Sequence, residues 1–288
     1  MKPLVSAVIT THNRKDLLKR AIDSVFTQTY QPIELIVVDD ASDDGTRDEF
    51  GANAKFQYIY VPQRESKGGN YARNLGIKAS KGKYCAFLDD DDYWLPTKIE
   101  KQVQLIEQRN CDLVYCGRRN ELVGKSDVRY VDRPPKPHNC GDVSRKILRS
   151  IFVTTSTMLI KRESLLDIGM FDENVRFWQE YELAIRLAQR SPFYFVNEAL
   201  VVYRIDKTDK NRLTNKYYKW KESVRYIRKK HQMLYKDLKF VEKQKSYWLI
   251  WHDGKIRSRA EKLYIRYCLY IFLLMPSFLY NKFIANRE

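Results

Sequence analysis

The chain has 288 residues, of which 44% are hydrophobic and 13% aromatic; this composition excludes global disorder and allows a sizeable buried core. Five scattered cysteines without a CxxC pair argue against a disulfide framework and a cysteine-based zinc site, and favour the reducing cytosol. The net charge of +16 is concentrated in residues 207–288, which hold 21 Lys and Arg against 7 Asp and Glu, but no base-reading motif supports nucleic-acid binding.

The first 110 residues alternate between predicted strands and predicted helices. The first strand follows Met1–Pro3 directly, so we expect no signal peptide ahead of it. The βαβα order predicts a parallel sheet with helices on both faces. The predicted strands are Leu4–Thr10, Ile33–Val38, Phe56–Val61 and Tyr84–Leu88, and the predicted helices are Lys15–Gln28, Gly68–Ala79 and Pro96–Gln108.

The pattern is looser after residue 111. Arg133–His138 is a proline-rich loop, and we expect the α/β domain to end near Asp206. Residues 207–288 then form a basic tail of helical character. The remaining predicted strands are Asp112–Leu122, Thr157–Ile160, Phe193–Val196 and Leu200–Ile205, and the helices are Arg162–Ile168 and Trp178–Gln189.

Four consecutive aspartates follow the predicted strand Tyr84–Leu88. Adjacent carboxylates repel each other, and a bound cation relieves that repulsion. Side chains alternate along an extended chain, so Asp89 and Asp91 should share one face and Asp90 and Asp92 the other. Carboxylates at i and i+2 can bind one Mg²⁺ or Mn²⁺ and leave its other positions to phosphate and water. The alternative is a solvated acidic turn that caps the following helix.

A second acid pair, Asp39 and Asp40, ends the predicted strand Ile33–Val38. In open α/β sheets, ligands bind outside the carboxyl ends of the strands. Two acid pairs at two strand ends therefore predict one shared binding site. The alternative for this pair is turn chemistry, which we assign instead to Asp43–Gly45.

The tail combines basic and aromatic residues with an uncharged segment. Tyr217–Tyr235 mixes Lys and Arg with Tyr and Trp, and Tyr267–Tyr280 carries no charge. The second segment, interrupted by Pro276, is too short to predict a membrane span. These features predict a helix that lies in an anionic membrane surface; the alternative is a helical cap packed on the catalytic domain.

Three blocks of the sequence together resemble the family 2 glycosyltransferases, whose catalytic domain has the GT-A fold. The blocks are VSAVITTHNRKDLLKRAIDSVFTQTYQPIELIVVDDASDDGT, GGNYARNLGIKASKGKYCAFLDDDDYWLP, and FDENVRFWQEYELAIRLAQRS with ALVVYRID. The resemblance covers Pro3–Asp206. It implies a GT-A, Rossmann-like, mostly parallel sheet flanked by helices, followed by the basic helical extension. Residues 1–110 would be the nucleotide-binding half and residues 111–206 the acceptor-binding half.

The resemblance also implies residues that bind the nucleotide. The segment TTHNR would line the base and ribose, which makes Thr11, His12 and Arg14 candidates. Asp40, the second acid of its pair, would accept a hydrogen bond from a ring N–H of a pyrimidine base.

The acid run corresponds to the DxD motif of the family, read here as Asp89, Asp90 and Asp91. Asp91 would hold the divalent metal, Mn²⁺ or Mg²⁺, and Asp89 would reach the metal or the ribose. Asp90 belongs to the same substrate-binding motif. Arg73 and Asn74 would lie near the diphosphate or the sugar.

The general base is expected where the predicted helix Trp178–Gln189 begins. Many family members carry Glu-Asp there, and alignment on Leu183 and Arg186 places Gln179 and Glu180 at those positions. Glu180 would then take the proton from the acceptor hydroxyl. The alternative is a first-turn acid stabilised by the helix dipole.

One position departs from the family. Many relatives carry His after the Tyr-Arg segment of VVYRID, for which the resemblance implies a role in binding metal or diphosphate, and this chain has Asp206. The carboxylate would either serve as a hard oxygen ligand or leave the site without that contribution.

The resemblance implies metal-dependent, inverting transfer of a sugar from a nucleotide diphosphate, for which we expect a UDP-sugar. The acceptor would be a hydroxyl of a glycan or lipid-linked intermediate in surface polysaccharide (for example capsule) biosynthesis. The basic tail places such an enzyme on the inner face of the cytoplasmic membrane. One alternative is a nucleotidyltransferase, although TTHNRKD lacks the glycine-rich loop expected there. The other is a non-catalytic sugar-nucleotide-binding membrane scaffold, against which the intact acid pairs argue.

Overall fold

A computed structural model describes residues 1–52, 54–124, 126–206 and 216–283, with the backbone alone from residue 275. The described chain divides into two compact units. The first comprises residues 1–144, 152–173 and 179–206, and the second comprises 145–151, 174–178 and 216–283. The predicted boundary near Asp206 did not anticipate the two short internal segments that belong to the second unit.

The first half of the first unit contains four parallel strands. They lie in the order β3, β2, β1, β4, and the helices between them follow the predicted alternation. The strands are β1 (Val5–Thr11), β2 (Ile33–Asp40), β3 (Gln57–Val61) and β4 (Tyr84–Asp89). The helices are α1 (Lys15–Phe26), α2 (Thr46–Phe50), α3 (Gly69–Ala79) and α4 (Lys98–Arg109).

The second half of this unit extends the sheet with mixed pairing. After β4 the order continues β8, β6, β9, β5, and β7 pairs with β6. Among the described strands of this half, only β6 and β9 pair in parallel, so the sheet is mixed beyond β4. These elements are β5 (Tyr93–Trp94), β6 (Leu113–Val123), β7 (Val128–Arg133), β8 (Met158–Lys161), α5 (Arg162–Asp167), α6 (Gln179–Ala188) and β9 (Phe193–Asp206).

Strand β9 joins two segments that the sequence predicted as separate strands. Its pairing with β6 shifts register on either side of Gly117, opposite residues 196–201. A local irregularity of this kind lets one long strand bend without ending. The residues between the two predicted segments are therefore part of the strand.

Strand β2, whose residues Ile33–Val38 are nearly all apolar, is buried on both faces. Leu35 and Val37 join the larger core cluster, whereas Ile36 and Val38 join a second cluster with Ala72 of α3. Burial on both faces is typical of a central parallel strand, and it holds the strand end firmly in place.

The strand order reverses between β1 and β4, because β2 and β3 continue on one side of β1 and β4 lies on the other. Thr11 lies opposite Asp39, and Thr10 lies opposite Asp89. The carboxyl ends of β1, β2 and β4 therefore share one edge of the sheet, where ligands bind in open α/β folds.

The second unit is helical, as predicted for the tail. Its helices are α7 (Tyr217–Lys230), α8 (Gln232–Lys236), α9 (Phe240–Ala260) and α10 (Tyr264–Phe283), and α10 continues past Pro276. Within the described ranges, no helix has both the length and the apolarity needed to cross a bilayer.

The internal segment 174–178 belongs to the core of this helical unit. The Arg257 guanidinium lies 5.3 Å from the Phe177 ring and 5.6 Å from the Trp220 ring. Asp253 accepts hydrogen bonds from Arg257 at 2.8 Å and from the Trp178 indole at 3.1 Å. These contacts fix a segment that directly precedes α6 in the chain.

Candidate functional site

The four aspartates form a turn at the end of β4. The backbone N–H of Asp92 donates to the carbonyl of Asp89 at 3.0 Å, which closes the turn around Asp90 and Asp91. The side chains of Asp89 and Asp91 are 30% and 31% exposed, whereas those of Asp90 and Asp92 are buried. Partly exposed and buried carboxylates therefore alternate along the run, but in a turn that follows Asp89 and not in the extended chain that the prediction assumed.

Arg14, just before α1, contacts two of the acids. Its Nη1 lies 3.0 Å from Asp90 Oδ1 and 2.9 Å from Asp91 Oδ2. The Thr11 hydroxyl donates to Asp90 Oδ2 at 2.9 Å. Burial raises the pKa of Asp90 to about 6, and Arg14 opposes that rise. Thr11 and Asp90 are thus bonded to each other and hold the turn against β1.

Asp92 is fully buried and connects the turn to two other segments. Its Oδ2 accepts from the Ser156 hydroxyl at 2.6 Å, and its Oδ1 accepts from the Arg204 backbone N–H at 3.0 Å. The same Ser156 oxygen accepts from the Asp89 backbone N–H at 3.2 Å. Burial raises the pKa of Asp92 well above its ordinary value. No sequence signal marked Ser156, a single serine in a region without a motif.

Arg73 of α3 brings the beginning of α6 to the acid turn. Its guanidinium contacts Asp89 Oδ1 at 2.7 Å and donates to Gln179 Oε1 at 2.9 Å. Gln179 precedes Glu180, so the proposed base lies in a turn that Arg73 holds beside the carboxyl end of β4. Two groups far apart in sequence are thereby brought together.

Glu180 lies in the first turn of α6 and is partly exposed. Within the described chain, its carboxylate accepts no hydrogen bond from another residue. Desolvation raises its pKa, the charge of Asp89 adds to the rise, and nearby arginines oppose it. Glu182, in contrast, is buried and forms an ion pair with Arg186 at 2.7 Å. Only Glu180 of these two acids is available to a ligand.

The hydrogen-bond partners of Asn74 give it a structural role. Its Nδ2 donates to the Phe171 carbonyl at 2.9 Å and to Glu173 Oε1 at 3.0 Å. Its Oδ1 accepts from the Phe171 backbone N–H at 2.9 Å. The amide therefore holds residues 171–173 against α3, and these contacts do not reach the acid turn.

The end of β2 holds the second acid pair. Asp39 accepts from the Ser42 backbone N–H at 2.9 Å and from the Tyr58 hydroxyl, so its carboxylate stabilises the turn. Asp40 is also buried, but its Oδ1 has no hydrogen-bond partner within the described chain. The His12 Nδ1 lies 2.7 Å from the Asp40 carbonyl oxygen. A buried acceptor without a donor is costly, which makes Asp40 a candidate for binding a ligand N–H.

Asp206 ends β9 next to Arg204. The Arg204 Nη2 lies 2.9 Å from Asp206 Oδ2, and its Nη1 lies 3.4 Å from the buried Glu121. The carboxylate that replaces the usual histidine is therefore paired with an arginine.

The acid turn offers a limited set of metal ligands. The described residues contain no group of three or more His, Cys, Asp and Glu side chains placed to hold a metal ion. Asp89 and Asp91 supply two partly exposed carboxylates, and Mg²⁺ is commonly bound by one or two carboxylates together with substrate phosphates. The guanidinium groups of Arg14 and Arg73 already place positive charge against these acids. The donor set fits a hard divalent cation that is shared with a phosphorylated ligand.

Comparison with known proteins identifies relatives of this chain. The family model described as Glycosyl transferase family 2 matches residues 6–169. An uncharacterized glycosyltransferase of Rickettsia prowazekii is 36% identical over 209 residues, which cover 70% of this chain and 64% of the relative. The match therefore spans less than two thirds of that relative.

Two other relatives have more specific names. The putative teichuronic acid biosynthesis glycosyltransferase TuaG of Bacillus subtilis is 29% identical over 250 residues, covering 86% of this chain and 93% of TuaG. The UDP-Glc:alpha-D-GlcNAc-diphosphoundecaprenol beta-1,3-glucosyltransferase WfaP of Escherichia coli is 41% identical over 167 residues, covering 58% of this chain and 64% of WfaP.

Solved structures share the fold. TarS of S. aureus in complex with UDP-GlcNAc aligns with a TM-score of 0.61 at 15% identity, covering 92% of this chain and 88% of that chain. The mannosyltransferase PcManGT from Pyrobaculum calidifontis, in complex with GDP-Man and Mn²⁺, aligns with a TM-score of 0.62 at 17% identity, covering all of this chain and 83% of PcManGT. The predicted GT-A fold is confirmed, and the chain belongs to glycosyl transferase family 2.

Proposed function

We propose that this chain transfers a sugar from a UDP-sugar to a hydroxyl group of a lipid-linked glycan, with inversion at the anomeric carbon. One observation carries the proposal. Arg73 contacts both Asp89 of the acid turn and Gln179 of α6, so the candidate base Glu180 is held beside the candidate diphosphate site. Sugar transfer requires the general base and the diphosphate site to lie next to each other.

The nucleotide would bind at the ends of β1 and β2. The Asp40 Oδ1, which has no partner in the part of the chain that the structure describes, would accept the ring N–H of uracil, which satisfies a buried acceptor. His12 adjoins this position through the Asp40 carbonyl. The names of WfaP and of the TarS complex specify uridine diphosphate sugars, which favours uracil as the base.

The diphosphate would lie over the acid turn. Arg14 and Arg73 present guanidinium groups, which bind phosphate oxygens as readily as carboxylates. Asp91 and Asp89 would hold a divalent cation, Mn²⁺ or Mg²⁺, which when bound offsets the negative charge on the departing diphosphate. Thr11 and Asp90, which bond to each other, would keep Arg14 and the turn in position.

Glu180 would act as the general base. The acceptor hydroxyl must lose its proton as it attacks the anomeric carbon, and a carboxylate within hydrogen-bond reach takes that proton. The bond between the anomeric carbon and the diphosphate oxygen breaks as the bond to the acceptor oxygen forms. A single base opposite the leaving group gives inversion in one displacement.

The acceptor is proposed from relatives and from charge. TuaG is named for teichuronic acid biosynthesis, and WfaP for a diphosphoundecaprenol-linked substrate. A similar lipid-linked intermediate of surface polysaccharide, such as capsule, would be met at the inner face of the cytoplasmic membrane. The basic helical unit is the part of this chain suited to approach that surface.

A donor screen tests the proposal. Purified chain is mixed with UDP-glucose, UDP-galactose, UDP-GlcNAc or GDP-mannose, each with Mn²⁺, with Mg²⁺ or with EDTA. We expect at least one UDP-sugar to raise the melting temperature and to release UDP slowly in the presence of metal, since a ligand that binds the folded state stabilises it. The Asp40→Leu variant is the control, because it retains side-chain size, has no acceptor for the uracil N–H, and should lose stabilisation by uridine nucleotides.

Two outcomes of the screen would contradict the proposal. Release of pyrophosphate in place of UDP would indicate a nucleotidyltransferase. Stabilisation by a UDP-sugar without metal-dependent hydrolysis or transfer to any glycan acceptor would indicate a non-catalytic binding protein.

Ser156 provides a further test through the acid turn. The Ser156→Ala variant removes the donor to Asp92 and the acceptor for the Asp89 backbone N–H, so the turn that carries Asp89 and Asp91 loosens. Groups that orient metal ligands typically matter by about 10–100-fold. We expect kcat to decrease by about 10–100-fold and the Mn²⁺ concentration for half-maximal activity to rise, both measured by UDP release.

The matched control is Ser80→Ala. Ser80 is also buried, and its hydroxyl donates to the Gly76 carbonyl at the end of α3, away from the acid turn. It should lose comparable stability while its metal dependence stays that of the unmodified chain. Equal metal dependence in both variants would remove Ser156 from the site.

A further inference from the structure

We infer that the outer face of α10, together with the basic face of α7, docks on an anionic lipid surface. The outer face of α10 is defined by Tyr264, Ile265, Leu269, Ile271 and Phe272. The inference deepens the proposed function, on which it rests only for the lipid-linked acceptor. The docking itself follows from contacts, exposure and charge within the helical unit.

The inner face of α10 is fixed by packing inside this unit. The Tyr270 hydroxyl lies 2.8 Å from the Tyr217 hydroxyl of α7. A Cβ at Gly254 of α9 would lie 2.6 Å from the Tyr270 ring, so only glycine allows the two helices to approach this closely. Arg266, one turn before Tyr270, stacks on the ring of Tyr217 at 5.3 Å. These contacts determine which side of α10 faces outward.

The outer face is apolar and exposed. Ile265 is 89% exposed, Phe272 69% and Leu269 55%. Their spacing of four and three residues places them in one stripe along the helix, opposite the side that carries Tyr270. Exposed apolar residues scattered singly are ordinary, but a continuous stripe on one helix face indicates a surface that is covered in use.

The positive charge of the helical unit indicates which kind of surface covers this stripe. Residues 216–283 hold 17 Lys and Arg against five Asp and Glu. Arg266, which follows Ile265 in α10, lies 5.3 Å from the exposed Tyr218 ring of α7, and Arg259 of α9 lies 5.9 Å from the Tyr267 ring of α10. Guanidinium groups therefore lie against α10 on the sides that flank the stripe. The basic residues exposed on α7 are Lys219, Lys221, Arg225, Lys229 and Lys230, and the exposed acid among them is Glu222. Basic and aromatic residues beside an apolar stripe are typical of helices that lie in an anionic bilayer surface.

A second copy of the chain fits this surface less well. Two helical units, each with a large excess of positive charge, would repel each other across a shared apolar face. Anionic lipid headgroups neutralise the same charges while the acyl region receives Ile265, Leu269 and Phe272. Charge complementarity therefore favours the bilayer as the occupant.

Vesicle flotation tests the inference with the full chain. Vesicles of phosphatidylcholine alone are compared with vesicles that also contain phosphatidylglycerol, each at low and high salt. We expect binding to the anionic vesicles that weakens as salt rises, because salt screens the attraction to the headgroups. Ile265→Glu and Phe272→Glu, made separately, should each weaken vesicle binding about tenfold or more, since they place a charge in the stripe that the bilayer would cover.

Matched variants separate the two contributions. Val128→Glu adds the same charge at an exposed apolar residue of the first unit and should leave vesicle binding unchanged. The double variant Lys219→Glu/Arg225→Glu should lose the preference for anionic vesicles. Metal-dependent hydrolysis of a UDP-sugar in solution should remain normal in all of these variants.

The inference fails if Ile265→Glu and Phe272→Glu bind vesicles as the unmodified chain does. It also fails if light scattering shows a dimer that these substitutions dissociate, because a second copy would then occupy the face. If the unmodified chain hydrolyses no UDP-sugar, the proposed function is contradicted. The vesicle result would still decide whether α10 docks on anionic lipid.

Discussion

The Glu180→Gln variant is expected to lose about 10²–10⁴-fold in kcat for sugar transfer, the range that a general base contributes. Glutamine retains the size of the side chain but cannot take the proton from the hydroxyl group of the sugar acceptor. In the described chain the Glu180 carboxylate accepts no hydrogen bond from another residue, so its replacement breaks no internal hydrogen bond. The rate is measured by UDP release with an acceptor, and UDP affinity, measured by calorimetry, should be unchanged.

Glu163→Gln is the matched control for this variant. Glu163 is an exposed acid in the first turn of α5, and Glu180, which is partly exposed, lies in the first turn of α6. An acid at that position stabilises a helix by about 0.3–1 kcal/mol through the dipole. If Glu180 had only this role, both variants would lose similar stability and retain similar turnover. Near-normal kcat in Glu180→Gln would therefore exclude it as the base.

The pH dependence of the rate gives a second measure of the same residue. Glu180 acts as a base only when it is deprotonated, and burial raises its pKa above the ordinary value of 4.5. Turnover should therefore fall with decreasing pH through a limb that lies above pH 4.5. This limb should be absent from the residual activity of Glu180→Gln. A rate that stays constant as the pH falls to 4.5 would contradict the assignment.

The Asp91→Asn variant is expected to lose about 10³-fold or more in kcat/KM, equivalent to about 4 kcal/mol of transition-state stabilisation. Asparagine retains the shape of the side chain and removes the charge that would hold a divalent cation. Asp91 is 31% exposed, so the lost contact with Arg14 should change stability little. Titration of Mn²⁺ against UDP release should show a much higher half-maximal concentration.

Asp132→Asn controls for the loss of an aspartate–arginine pair. Asp132 is half-exposed and contacts Arg119 at 2.6 Å on strands β7 and β6. This variant should retain both the rate and the Mn²⁺ dependence of the unmodified chain. If Asp91→Asn behaved in the same way, the acid turn would not be a metal site, and the proposed position of the diphosphate would have to be abandoned.

Local sequence patterns determined much of the first unit. The largely apolar runs of β1, β2 and β4 can be recognised from neighbouring residues alone, because a strand covered on both faces needs apolar side chains at most positions. The acids that end β2 and β4 could also be recognised from the sequence, because each directly follows such an apolar run. The order of elements then placed these strand ends at one edge of the sheet.

Tertiary structure decided which of the acids are available to a ligand. Asp39 and Asp40 are adjacent in sequence, yet Asp39 bonds to the turn and to Tyr58, while one oxygen of Asp40 has no hydrogen-bond partner among the described residues. Asp90 and Asp92 likewise became internal hydrogen-bond acceptors. Sequence assigns the same chemistry to all members of such a run, because their differences arise from residues elsewhere in the chain.

The supporting contacts of the site join residues that are far apart in the chain. Ser156 reaches Asp92 across 64 positions, and Arg73 reaches Gln179 across 106. The segment 174–178 joins the helical unit through Arg257 and Trp220, which no local pattern indicates. Periodicity and turn chemistry describe interactions within a few residues, so the sequence by itself determined the strands and their acidic ends. The partners that orient those acids were decided only when the chain folded.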